Sequence, residues 1–219
     1  MYYPSIEEIK ELSKQGNIIP VYREISADME TPVSAYLKVA DKPYSFLLES
    51  VEGGERLARY SFIGTEPFDI IQTGISQPGG EVDPLLAIEE KLNRYKLVNI
   101  PGLPRFHGGA VGYIAYDAVR YFEPIPPPEK DSLELPEAIF LLIDTLLVFD
   151  HLRHKIKVVS HVHIDEGEIE QSYEAATKRI DLLVERLDQP IPKTSSGIQK
   201  INDPKKNQTS SNFTKDEYE

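Results

Sequence analysis

The sequence predicts a mixed fold in which helices pack on antiparallel strands, and three observations carry that prediction. Serine, threonine and aspartate caps stand before amphipathic stretches, and short segments between them alternate with a period of two. Two β-rich runs, 138–149 and 156–164, are joined by 150–155, which suggests an antiparallel hairpin with a longish loop.

Each element has a local reason. Ser5-Ile-Glu-Glu8 is a capping box, so a helix runs from it to about Lys14, before Gly16. Residues 17–25 predict a strand. Thr31-Pro32 sets a cap before a proline at the first helical position, where the missing N–H costs nothing, and predicts a helix to about Ala40. From Tyr44 to Val51 the side chains alternate, with Phe46, Leu48 and Ser50 on one face and Ser45, Leu47, Glu49 and Val51 on the other. A Gly53-Gly54 turn and helix-like residues 55–58 follow, and 59–73 predict one or two strands interrupted at Glu66-Pro67. Asp83-Pro84 opens a helix carrying Leu85, Leu86, Ile88, Leu92 and Tyr95, ending near Lys96. Residues 108–116 predict a strand, 117–122 a helical turn, and proline-rich 124–128 close that unit. The run 138–149 is apolar on both faces and predicts one central strand, covered on both sides. Residues 168–187 predict a helix with Ile169, Tyr173, Ala176 and Ile180 along one side, and the composition from 189 onward is that of a linker.

Composition bounds the function. A net charge of −12, from 36 acidic against 24 basic residues, argues against nucleic acid or an anionic membrane as partner. No cysteine is present, which removes disulfides and thiolate metal sites and fits a reducing compartment, with the cytoplasm as the default. The start, Met1-Tyr-Tyr-Pro-Ser-Ile-Glu-Glu, has neither a signal-peptide nor a transit-peptide pattern. The longest apolar run is interrupted by Asp144 and is too short to span a bilayer.

Ser50 is the most informative single residue. It ends an apolar strand row with a hydroxyl, a placement suited to the polar end of a ligand with an apolar body, although such a serine also satisfies turn backbone. The glycines at 108, 109 and 112 lack phosphate-loop spacing and predict a strand whose glycines permit close sheet packing. Asp117, Arg120 and Glu123 are spaced to pair on one side of a helical turn. His161 and His163 share a strand face, but two imidazoles are too few for a metal, and solvated histidines at a strand exit are expected. His151 and His154 fall in the hairpin loop, His107 has no evident partner, and no catalytic triad can be assembled.

The segments Pro32-Val-Ser-Ala-Tyr, Phe46-Leu-Leu-Glu-Ser50, Arg59-Tyr-Ser-Phe-Ile-Gly64 and Gly108-Gly-Ala-Val-Gly-Tyr-Ile-Ala-Tyr-Asp117, with Arg120 and Glu123, resemble the amino-terminal half of anthranilate synthase component I. The resemblance implies an α+β fold, with antiparallel sheets and packed helices forming part of a two-layer sandwich. It implies the lyase reaction of that family, from chorismate and glutamine or ammonia to anthranilate and pyruvate, with feedback inhibition by L-tryptophan. Carried over residue by residue, Ser50 becomes the main tryptophan contact, with Glu49, Pro32 and Arg59 as weaker ones. It also implies a glutamine amidotransferase subunit as partner, and Mg2+ bound in a carboxyl-terminal half, so no catalytic or metal-binding residue is expected in these 219. The expected organisation is a regulatory domain over 1–188, a linker over 189–213, and the start of the catalytic domain over 214–219. Thr214-Lys-Asp-Glu217 is a second capping box, which predicts a helix that the chain does not contain, hence a truncation. Aminodeoxychorismate synthase component I and a stand-alone amino-acid-binding module or remnant are the alternative readings.

Overall fold

The computed structural model describes residues 1–49, 59–126, 135–164, 168–192, 214 and 216. Helix α1 (Ile6–Leu12) begins with the predicted reciprocal cap: Ser5 N–H donates to Glu8 Oε2 at 2.8 Å, and Ser5 Oγ accepts from Glu8 N–H. Helix α2 (Pro32–Val39) begins the same way through Thr31 and Ser34, and α3 (Pro84–Leu92) is capped by Asp83. Helix α4 spans Ile169–Leu187. Two helices stop earlier than their periodicity predicts. The helices are capped at Ser13 and Asn93, and Tyr95 packs its ring against Phe68 and His163 instead of extending α3.

The strands form two antiparallel sheets. The larger runs β1-β8-β7-β3-β2, from β1 (Ile18–Ser26), β8 (Lys155–His163), β7 (Thr145–Asp150), β3 (Tyr60–Gly64) and β2 (Phe46–Leu48). The smaller runs β4-β6-β5, from β4 (Asp69–Thr73), β6 (Ala138–Ile143) and β5 (Gly109–Ile114). A short 3-10 helix, Tyr116–Tyr121, follows β5 where a helical turn was predicted.

The expectation of one central strand over 138–149 needs correction. The apolar run 138–149 is two strands, split at Asp144, and each half is central in a different sheet. The reason is layering. Leu147 and Phe149 face a core shared with α1, α2 and α4, while Leu146 and Val148 face Leu141 and Ile143 of β6 across the gap between the sheets. Ala138, Phe140 and Leu142 face outward, beneath Ala87 and Ile88 of α3. The order is helices, large sheet, small sheet, α3, so every strand face in the run is covered and sequence alternation vanishes. The predicted hairpin holds, Thr145 to Asp150 pairing with Ser160 to Lys155.

Candidate functional site

The candidate site is the outer end of the large sheet, where β2 is the edge strand beside β3. Alternation along β2 sorts its side chains as expected. Leu47 enters the helix-side core, and Phe46 enters the core between the sheets. The ring of Phe46 lies over Gly64, its register partner, in space that a Cβ would fill. Leu48, in the Phe46 row, is 43% exposed, so the apolar wall is open at this end. Tyr60 and Phe62 line the same inter-sheet face, with ring centroids 6.2 Å apart, and Phe106 meets Phe62 edge-on at 5.1 Å. This half-open aromatic surface is what a planar apolar ligand needs. The sequence signal was present, since Tyr60 and Phe62 are two residues apart on a strand, but Phe106 reaches them only through the fold.

Ser50 lies outside the described residues. Glu49 follows β2 and is exposed. Pro32 is the first residue of α2 and half-buried, and that helix is tied to the start of β2 by a Tyr36 Oη–Ser45 Oγ hydrogen bond of 2.9 Å. Arg59 opens onto β3 with its guanidinium clamped on Asp150, Nη2 donating at 2.7 Å and Nε at 3.1 Å, and it stacks 4.8 Å above the Tyr60 ring. Burial pulls the Asp150 carboxyl up, but the hydrogen bonds from Arg59 and the Arg153 backbone hold it below its ordinary value. Ser61 Oγ and His151 Nε2 are 2.8 Å apart, a serine–histidine pair whose serine is only 2% exposed, so it joins β3 to the β7–β8 loop without offering a nucleophile.

The histidines of β8 are not solvated, contrary to expectation. His161 and His163 are buried at the corner where Asp144 separates the two sheets. The Asp144 carboxylate accepts from His163 Nε2 at 3.1 Å and from the Thr145 hydroxyl at 2.9 Å, with Arg179 Nη2 3.5 Å away. Its backbone carbonyl accepts from His161 Nδ1 at 2.8 Å. A carbonyl only accepts, so His161 carries its proton on Nδ1, its Nε2 is an acceptor, and the partner at 3.2 Å, His107 Nδ1, is the donor. His107 therefore has a partner that sequence proximity does not reveal. Gly108 follows with a φ of +156°, and a Cβ there would stand 2.6 Å from His161 Cε1. Gly112 packs its α-carbon against the Ile139 carbonyl, the close sheet packing that was predicted, whereas a Cβ at Gly109 would meet nothing and its φ of +121° is what calls for glycine there. Arg120 does not pair with the carboxylates of Asp117 and Glu123. Its Nη2 donates to Glu137 at 3.0 Å and its Nε to the Asp117 backbone carbonyl, because Glu137, brought in beside β4 and β5, is the better buried carboxylate. Glu137 also accepts from Tyr121, and burial with this bond pushes the Tyr121 hydroxyl up to about 12.

A groove of about 450 Å3 lies elsewhere, walled by Tyr3, Pro4, Glu7, Glu11, Leu12 and Ile100, and none of the predicted site residues lines it. Among the described residues no helix is long and apolar enough to cross a membrane.

The architecture of two antiparallel sheets carrying helices is matched in known proteins. The family profile of chorismate binding enzymes covers residues 43–219, and the chain belongs to that family. Its relatives include anthranilate synthase component 1 of Acetivibrio thermocellus, 39% identical across all of this chain and 46% of the relative. Anthranilate synthase component 1 of Saccharomyces cerevisiae is 41% identical across 86% of this chain and 40% of the relative. The crystal structure of anthranilate synthase component I from Streptococcus pneumoniae superposes with a TM-score of 0.52 at 27% identity, covering 77% of this chain and 37% of that one. The chain thus spans less than half the length of the curated relatives it matches.

Proposed function

We propose that this chain is the amino-terminal, tryptophan-sensing part of an anthranilate synthase component I. The complete enzyme converts chorismate and glutamine or ammonia to anthranilate and pyruvate, opening tryptophan biosynthesis, in the cytoplasm and with a glutamine amidotransferase subunit supplying ammonia. The observation that carries this reading is the identity of 39% and 41% to proteins so named, across nearly the whole chain. The half-open wall of Leu48, Tyr60, Phe62 and Phe106 supports an aromatic inhibitor at the end of β2, with Ser50 meeting its polar end and Glu49, Pro32 and Arg59 around it. Regulatory residues over 1–188, a linker over 189–213 and a catalytic domain beginning at 214 complete the proposed organisation. The Mg2+ of the complete enzyme is proposed to bind in the carboxyl-terminal half; among the described residues no group of three or more His, Cys, Asp or Glu is placed to hold a metal.

Inhibition then works by differential affinity: tryptophan favours the arrangement it binds better and shifts the enzyme toward it. Ser50→Ala in the complete enzyme is expected to raise the tryptophan concentration for half-inhibition about fivefold, the worth of one hydrogen bond, with kcat unchanged. Unaltered inhibition in that variant counts against Ser50, whereas an unmodified enzyme indifferent to tryptophan sinks the sensing role itself.

A further inference from the structure

Directly after β3, at the end of that strand which pairs with Phe46, Thr65 is 4% exposed and its hydroxyl finds no hydrogen-bond partner among the described residues. Thr65 stands in the wall of a cavity of about 50 Å3, together with Glu66, Thr145 at the start of β7, and Arg179, Leu183 and Arg186 of α4. Empty protein cavities are apolar, and this lining contains two guanidiniums and an orphaned hydroxyl.

The hydrogen-bond inventory of the lining states what kind of guest fits. Two of the acceptor groups already carry partners. Glu66 accepts from Arg186 Nη2 at 2.8 Å and pairs with Lys42 at 2.9 Å, while Thr145 and Ser160 are hydrogen-bonded to each other. The donors are not exhausted. Arg179 spends Nε on Ser160 and Nη2 on the His161 carbonyl, which leaves Nη1 outside those bonds. Arg186 spends Nη2 on Glu66, and its Nη1 is 3.5 Å from both the Val39 carbonyl and Asp41. Asp144 approaches Arg179 to 3.5 Å, but neither it nor Asp41 belongs to the lining. The walls therefore carry two positive groups against one carboxylate, with N–H and O–H donors to spare. A cation is repelled, and a phosphate ester with its attached group exceeds the space.

We propose that this cavity binds one small monovalent anion, of the size of chloride, held by the Thr65 hydroxyl and the guanidiniums of Arg179 and Arg186. The anion joins α4 to the turn between β3 and β4. It is a site separate from the aromatic wall, because Thr65 follows the end of β3 that pairs with Phe46, whereas Leu48 pairs with Phe62 and Tyr60 stands at the other end of the strand.

The test is thermal unfolding of the full 219-residue chain in sodium chloride and in sodium gluconate at equal ionic strength, with a Thr65→Val variant in parallel. The expected result is a melting midpoint about 3 °C higher in chloride, saturating with concentration. In Thr65→Val the chloride response is lost, and in gluconate the variant is at least as stable as the parent, because valine fills the same volume without an orphaned hydroxyl. Equal midpoints of the parent in the two salts, or a chloride response that survives in Thr65→Val, overturns the proposal. Broadening of the 35Cl resonance by the parent chain, reversed by added bromide, is expected independently of how the variant folds, and an unbroadened line overturns the proposal equally.

Discussion

At the scale of single residues, the buried corner at Asp144 makes stability depend on pH. Burial pushes His161 down to about 4, outweighing the Asp144 carbonyl bond that pulls it up, and burial pushes His107 down as well. Both are neutral when folded and free to take a proton when unfolded, so the unfolded chain binds more protons at mildly acid pH. The stabilisation is complete above the ordinary histidine value near 6.5 and is lost as pH falls toward 4. Urea unfolding is expected to show a loss on the order of 3 kcal/mol across that window, and a flatter profile in His161→Gln. Asp144 and Asp150 act in the same direction at lower pH. Their carboxyls are held below the ordinary value, so their contribution is present above it and disappears as they protonate. Arg59 makes a second residue-scale prediction. Asp150 is 2% exposed, so Arg59→Ala leaves a buried carboxylate without its bidentate partner and is expected to cost about 3 kcal/mol in chemical denaturation.

At the scale of elements, helix starts were readable because a cap is a local contact: Ser5 with Glu8 and Thr31 with Ser34 need nothing distant. Helix ends were less readable, since Tyr95 leaves its helical path for rings supplied by β8 and the segment before β4. The β5 strand shows the opposite case, where a local sequence feature exists for a distant reason. Gly112 is a poor strand residue, yet its pairing with Phe140 brings the Ile139 carbonyl where a Cβ would be. Gly112→Ala is expected to displace β5 from β6 and lower stability by about 3 kcal/mol or more, while Ala110→Gly on the same strand costs about 1 kcal/mol. Differential scanning calorimetry of the two variants gives the comparison, and equal losses would remove the close-packing account of Gly112.

At the scale of the whole molecule, the layered order leaves the outer edge of β5 and the apolar side chains beside it exposed. Strand β5 ends the small sheet with Tyr113 44% and Ile114 42% exposed, and Tyr116 beyond it is 88% exposed. An unpaired edge beside exposed aromatic side chains invites association. Sedimentation velocity of the 219-residue chain is therefore expected to show concentration-dependent self-association, reduced in Ile114→Lys without a change in melting midpoint. A monomer at every concentration would show that this edge is adequately protected by its own side chains.

The residue order alone accounts for the caps, the strand alternation of β2, the β7–β8 hairpin and the aromatic pair Tyr60 and Phe62, because each rests on neighbours within a few positions or on a repeating side-chain period. It did not show that Asp144 divides an unbroken apolar run between two sheets, nor that His107, His161 and Arg179 assemble around that break. It assigned Arg120 to neighbours on its own turn, while folding gave it Glu137. These are contacts between segments far apart in the chain, and which buried carboxylate or carbonyl a side chain meets follows from how whole layers stack, a free-energy balance summed over the entire core.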